Sequence, residues 1–152
     1  MTTGLISLFI GSLLASTLVP GGVEVLLYYL VQSGDYTLFS LLVIATAGNT
    51  LGGIITFAMG VLIHRGLSGS IWESRIQRWF RLEEKSLARV QRWGIYALFF
   101  SWMPVIGDPL CLAGGYLRLA TWPSIAMIFL GKFVRYAVLL WIYVQPWAQP
   151  PG

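Results

Sequence analysis

Met103-Pro104-Val105-Ile106-Gly107-Asp108-Pro109 sets two prolines, a glycine and a carboxylate between the apolar runs 95–103 and 110–117. Such flanks around a double break do not suit a soluble helix or strand. They suit two half-helices that dip into a bilayer and turn back. In hydrocarbon, an irregular backbone survives only where protein or a water-filled cavity satisfies its freed N–H and C=O groups. The break, and Asp108 with it, is therefore expected inside a protein-lined cavity. An unpaired ionisable side chain at such depth costs at least about 2.5 to 3.5 kcal/mol, so Asp108 needs a partner or a task.

Composition leads to the same solvent. The chain has 152 residues, of which 57% are hydrophobic and 11% charged, against roughly 25% charged in soluble domains. This is the profile of a small integral membrane protein forming one domain over residues 1–152. Cys111 is the single cysteine, which excludes an intrachain disulfide framework, and no Cys/His pair has metal-ligand spacing. No metal and no cofactor are expected. Between Arg65 and Arg92, seven basic residues stand against Glu73, Glu83 and Glu84, so that segment carries the whole net charge of +4. By the positive-inside rule it is cytoplasmic. Nucleic-acid binding, the rival reading of a basic stretch, does not fit its membrane-length apolar flanks.

Moving outward to the N-terminus, residues 1–19 are apolar and uncharged. They lack the basic start and small-x-small site of a cleaved signal, and retention is expected. This run is too short to cross unaided and stops at Pro20-Gly21-Gly22. A second short run follows over 23–31, with Glu24 near its start, giving a first broken hairpin. After the polar turn 32–35, residues 37–63 provide a full span. Within it Gly48, Gly52, Thr56 and Gly60 recur every four residues, a small-residue stripe suited to close helix packing. Gly48-Asn49-Thr50-Leu51-Gly52-Gly53 lacks the strand, lysine and βαβ setting of a phosphate loop.

From 71 to 93 the apolar residues Trp72, Ile76, Trp79, Leu87 and Val90 alternate at helical spacing with Arg75, Arg78, Arg81, Lys85, Arg89 and Arg92. That is a basic amphipathic helix for the headgroup layer, or equally a plain topology anchor. His64 reads as an interfacial polar tip in preference to a proton relay. Beyond the second hairpin, 95–117, a last span covers 122–144 and carries Lys132 and Arg135, three residues apart and on one helix face.

The chain thereby repeats itself. Glu24 lies four residues after Pro20 and Asp108 four after Pro104; Gly48 and Gly131 follow those prolines by nearly equal intervals. Each half reads half-helix, break, half-helix, turn, span. One span separates the two hairpins, so they are expected to enter from opposite faces, as inverted repeats do in secondary transporters. Both termini are then expected outside. A duplication without transport is the simpler alternative.

Pro20-Gly21-Gly22-Val23-Glu24, Gly48 to Gly53, Arg92-Trp93-Gly94, Ser101 to Asp108, and Gly131-Lys132-Phe133-Val134-Arg135-Tyr136 together resemble the DedA family, also called SNARE-associated or VTT-domain proteins, most closely its short YqaA subfamily. The resemblance spans nearly the whole chain. It implies a multi-pass protein of the bacterial inner membrane with two opposed re-entrant hairpins. For function it implies movement of lipid, as recycling of undecaprenyl phosphate or scrambling of phospholipid, coupled to protons. Where the family pattern places arginines around the second proline, this chain has Ser101 and Gly107. Lys132 and Arg135 are read as supplying that positive charge from the last span, which would suit a phosphate headgroup.

The resulting expectation is an all-α membrane protein of two opposed re-entrant broken-helix hairpins, each followed by a transmembrane helix. Repeat one covers 3–63, a basic amphipathic interfacial helix 65–92, and repeat two 93–144. Pro20, Gly21, Gly22, Pro104, Gly107 and Pro109 break the helices; Gly48, Gly52 and Gly60 pack them. Glu24, Asp108, Lys132 and Arg135 line the path of substrate or proton, the partners being membrane lipids with anionic headgroups. An assembly protein in which these charges merely pair is the second reading. An enzyme is not expected, because no nucleophile, base or acid dyad has suitable spacing.

Overall fold

The computed structural model of the protein describes residues 2–15, 22–65, 85–103 and 106–145. Pro20, Gly21 and Pro104, most of the basic amphipathic segment (66–84) and the tail 146–152 lie outside the described residues. Among the described residues all regular structure is helical. The helices are α1 Thr2–Ala15, α2 Gly22–Ser33 and α3 Leu38–His64, then α4 over residues 85–93. A 3-10 helix Gly94–Trp102 follows, then α5 Gly107–Tyr116 and α6 Thr121–Tyr143.

Local chemistry sets the ends of these helices. Thr37 caps α3, its Oγ1 accepting from the Ser40 backbone N–H at 3.3 Å. Pro109 and Pro123 fall in the first turns of α5 and α6, where a missing N–H costs nothing because no helical acceptor precedes it. Asp108 also lies in the first turn of α5, facing the positive end of the helix dipole. Lengths then separate two kinds of helix. At about 1.5 Å per residue, α3 reaches about 40 Å and α6 about 35 Å, enough to cross a hydrocarbon core of about 30 Å. α1 and α2, at about 21 and 18 Å, are not long enough.

One expectation is corrected. The run 95–103 was expected as an α-helical half and is a 3-10 helix instead, entered through Gly94 at φ 58°. Runs this long are uncommon, and each 3-10 residue rises about 2.0 Å. Nine residues thus extend about 18 Å, where an α-helix would give about 14 Å, so the tighter winding carries a short segment further.

The chain forms two compact units: residues 1–52 with 132–152, and residues 53–131. In the first, Leu8 of α1, Leu27 and Leu30 of α2, Leu41 and Ala45 of α3, and Leu140 of α6 form a buried core. In the second, Phe57 of α3, Val90 of α4, Leu98 of the 3-10 helix, Leu110 and Cys111 of α5, and Ile128 of α6 do the same. The glycine stripe of α3 serves both. A Cβ at Gly48 would run into the Phe9 carbonyl and Ser12 of α1 in the first unit, and one at Gly60 into the Leu112 carbonyl of α5 in the second; Gly52, midway in sequence, is also buried.

The outer surface is apolar. Ile6, Ile10, Val25, Phe39, Val43, Phe129 and Val138 are all exposed. Only 44% of the most apolar window of α3 and 28% of that of α6 is buried. The core helix of a soluble protein would be mostly enclosed, so this surface is one that hydrocarbon must cover.

Candidate functional site

Polar side chains gather inside the first unit. Lys132 is the middle residue of α6 and only 2% exposed. One turn later, Tyr136 is fully buried and its Oη accepts a 2.6 Å hydrogen bond from Asn49 Nδ2 of α3. Arg135, adjacent on α6, forms an ion pair with Glu24 in the first turn of α2. The Arg135 side chain is 13% exposed and that of Glu24 34%, so the pair sits at the edge of the cluster, with the carboxylate side wetter. Two forces hold Glu24 there: the guanidinium, and the positive end of the α2 dipole.

In this unit, several buried polar atoms have no hydrogen-bond partner among the described residues: Ser12 Oγ, Thr46 Oγ1, Asn49 Oδ1 and Thr50 Oγ1. Thr46, Asn49 and Thr50 stand at i, i+3 and i+4 and therefore share one face of α3. Ser12 approaches that helix from α1 at Gly48. Leaving a buried hydroxyl or amide unsatisfied costs about 1 to 3 kcal/mol, and groups of this kind in native proteins are met by water or a polar ligand. The interior of this unit is thus lined for hydrated or polar contents at the mid-length of a membrane-length helix.

Of the residues singled out from sequence, the structure brings Glu24 and Arg135 together and puts Lys132 and Arg135 on the same stretch of α6. Asp108 is half-buried at the start of α5, in the second unit. Gly107 is buried there, its Cα pressed on the Ser101 carbonyl so that a Cβ would collide with it. Gly22 opens α2 on an exposed position. His64 makes an edge-on ring contact with Tyr116 at 5.5 Å. Among the described residues no group of three or more His, Cys, Asp or Glu could hold a metal. Ser12 and Thr46 were not singled out, and Asn49, Thr50 and Tyr136 stood in the quoted motifs without being read as site residues. Their signal was present: an asparagine flanked by threonines in an apolar span, and a tyrosine one turn after a lysine.

Inner membrane protein YqaA of Escherichia coli (strain K12) is 36% identical over 141 residues, 93% of this chain and 92% of the relative. The protein of the same name from Shigella flexneri matches to the same extent. An uncharacterized protein of Haemophilus influenzae is 33% identical over 149 residues, 89% of this chain and 84% of its own. No family model and no solved structure matches.

Proposed function

The chain belongs to the YqaA-type inner membrane proteins of the DedA family, and from that premise we propose that it moves the polar headgroup of a lipid, a phospholipid or a lipid carrier such as undecaprenyl phosphate, across the bacterial inner membrane. The observation that carries this reading is Lys132, an ammonium buried at the midpoint of α6 in a unit that also buries four polar atoms with unfilled hydrogen-bonding capacity. A polar lining at the costliest depth of a bilayer is what a passing headgroup needs.

The hairpin architecture is part of the same proposal. Glu24, at the start of α2, meets Arg135 well inside α6, while Tyr28 meets Tyr143 edge-on at the end of α6, 5.3 Å between centroids. α2 therefore runs from mid-depth to one surface, which supports a re-entrant α1–α2 hairpin. The two units also share a packing device. In the first, Phe9 O and Ser12 close on Gly48; in the second, Phe99 O and Ser101 close on Gly131. A carbonyl and a serine from the first arm of a hairpin meeting a glycine of a spanning helix, twice, supports an inverted repeat with multi-pass topology.

In this reading, Lys132 and the hydroxyls of Ser12, Thr46 and Thr50 receive the phosphate. Arg135, paired with Glu24 at the edge of the cluster, offers its guanidinium as a second contact to the headgroup when that pair opens. Asp108 is the corresponding acid of the second unit. The action is a non-covalent translocation with no cofactor. Liposomes carrying fluorescent phospholipid or a prenyl phosphate provide the test. Headgroup movement above that of protein-free vesicles, abolished in a folded Lys132→Met protein, is expected; equal movement with and without protein overturns the proposal. The existing Glu24–Arg135 pair favours one alternative, an assembly protein whose intramembrane charges only hold helices together.

A further inference from the structure

Helix α5 ends at a conformational cost. The Arg118 N–H bonds to Gly115 O at 3.0 Å and the Leu119 N–H to Gly114 O at 3.1 Å, the paired bonds of a Schellman cap. That cap requires a left-handed residue where glycine is usual, and the chain puts Arg118 there at φ 53°. It is the only non-glycine residue with positive φ among those described. A Cβ in this region clashes with the following carbonyl, so the arginine is kept against the backbone preference.

Its surroundings say what it is kept for. The His64–Tyr116 ring contact sets the last turns of α3 and α5 level, which brings Arg65, just after α3, to the same end of the second unit. Leu117 and Leu119 pack in one core with Leu87 and Val90 of α4, whose other side exposes Lys85, Arg89 and Arg92. Trp122 is 82% exposed one turn beyond, an indole suited to the headgroup layer. Arg118 itself is exposed. Asp108, the described carboxylate of this unit, is at the opposite end of α5.

We propose that this end of the second unit is a docking site for an anionic phospholipid of the adjoining leaflet, with Arg118 engaging the phosphate directly and Arg65 beside it. The planar guanidinium binds phosphate through two parallel N–H···O bonds, and an anionic surface adds attraction from each basic side chain near it. The inference needs only a membrane location and stands whether or not the protein moves lipid. The simpler account is that Arg118 only offsets the negative end of the α5 dipole.

The full chain in nanodiscs of phosphatidylcholine, with and without phosphatidylglycerol, separates the two. Phosphatidylglycerol is expected to raise the melting temperature of the wild-type protein and to remain bound to it in native mass spectrometry. Arg118→Asn tolerates the left-handed backbone and removes the charge; it is expected to melt unchanged in phosphatidylcholine and to lose most of the rise and the bound lipid. Arg118→Gly is expected to melt higher in phosphatidylcholine while losing the rise as well. Lys85→Gln, the same change of charge elsewhere on this surface, is expected to keep most of it. A full rise in Arg118→Asn overturns the proposal in favour of simple capping. An equal loss in Lys85→Gln overturns it in favour of diffuse surface charge.

Discussion

At the scale of single residues, two contacts in the first unit can be weighed separately. Removing one partner of a fully buried ion pair costs about 3 to 5 kcal/mol, because a bare charge stays behind. Glu24 is about a third exposed, so water screens part of that loss. Glu24→Gln is therefore expected to cost about 1 to 3 kcal/mol in thermal unfolding in detergent, with the Glu24→Gln/Arg135→Gln double variant recovering most of it. Additive losses in the double variant would show that the two side chains do not depend on each other. Asn49 behaves differently, since its bond to Tyr136 joins two neutral groups, a class worth about 0.6 kcal/mol on average in membranes. Asn49→Leu also leaves the buried Tyr136 hydroxyl without this partner and is expected to cost about 1 to 3 kcal/mol while slowing headgroup movement at least several-fold in liposomes; unchanged movement would remove Asn49 from the lining. The charges were legible in the sequence because Glu24, Lys132 and Arg135 interrupt apolar runs. The Asn49–Tyr136 bond was not, since it joins positions 87 residues apart and nothing local to either names the other.

At the scale of elements, glycines show which helix contacts are closed and which have room. At Gly60 a Cβ would meet the backbone of Leu112 and Tyr116, whereas at Gly11 it would find the Val23 side chain at 3.4 Å, an ordinary contact. Backbone cannot give way as a side chain can. Gly60→Ala is expected to destabilise by about 1 to 3 kcal/mol through overpacking, and Gly11→Ala to be neutral or stabilising by up to about 1 kcal/mol through helix propensity. Melting temperatures of the two variants check this, and equal values would mean that α3 and α5 separate easily. α3 and α6 begin and end within about two residues of where the sequence put them, because long uninterrupted apolar runs between polar turns leave little freedom. The 3-10 winding of Gly94–Trp102 was not legible: over nine apolar residues, i→i+3 and i→i+4 bonding bury nearly the same side chains, and only the positive φ at Gly94 and the tight seat of Gly107 on Ser101 distinguish them.

At the scale of the molecule, the question is how far the α1–α2 hairpin penetrates. Its two arms, about 21 and 18 Å long, are each shorter than the hydrocarbon core, and Glu24 meets α6 away from either of its ends. The tip should then stop at mid-depth, leaving the 32–35 turn on the outer side with both termini and the 65–92 segment in the cytoplasm. Cysteine accessibility decides it in a background where Cys111, which is fully buried, has been replaced. Asp35→Cys is expected to react with an impermeant maleimide in intact cells, and Lys85→Cys only in inverted membranes; both positions are exposed. Gly22→Cys is the informative variant, because nothing lies within 4 Å of the added Cβ and the substitution fits. If the hairpin turns back inside the bilayer, this thiol reacts from neither side at a rate comparable to Lys85→Cys. If α1 and α2 both cross, it lies at the cytoplasmic surface and labels in inverted membranes as fast as Lys85→Cys does, which would remove the re-entrant hairpin and, with it, the mid-depth meeting of Glu24 and Arg135.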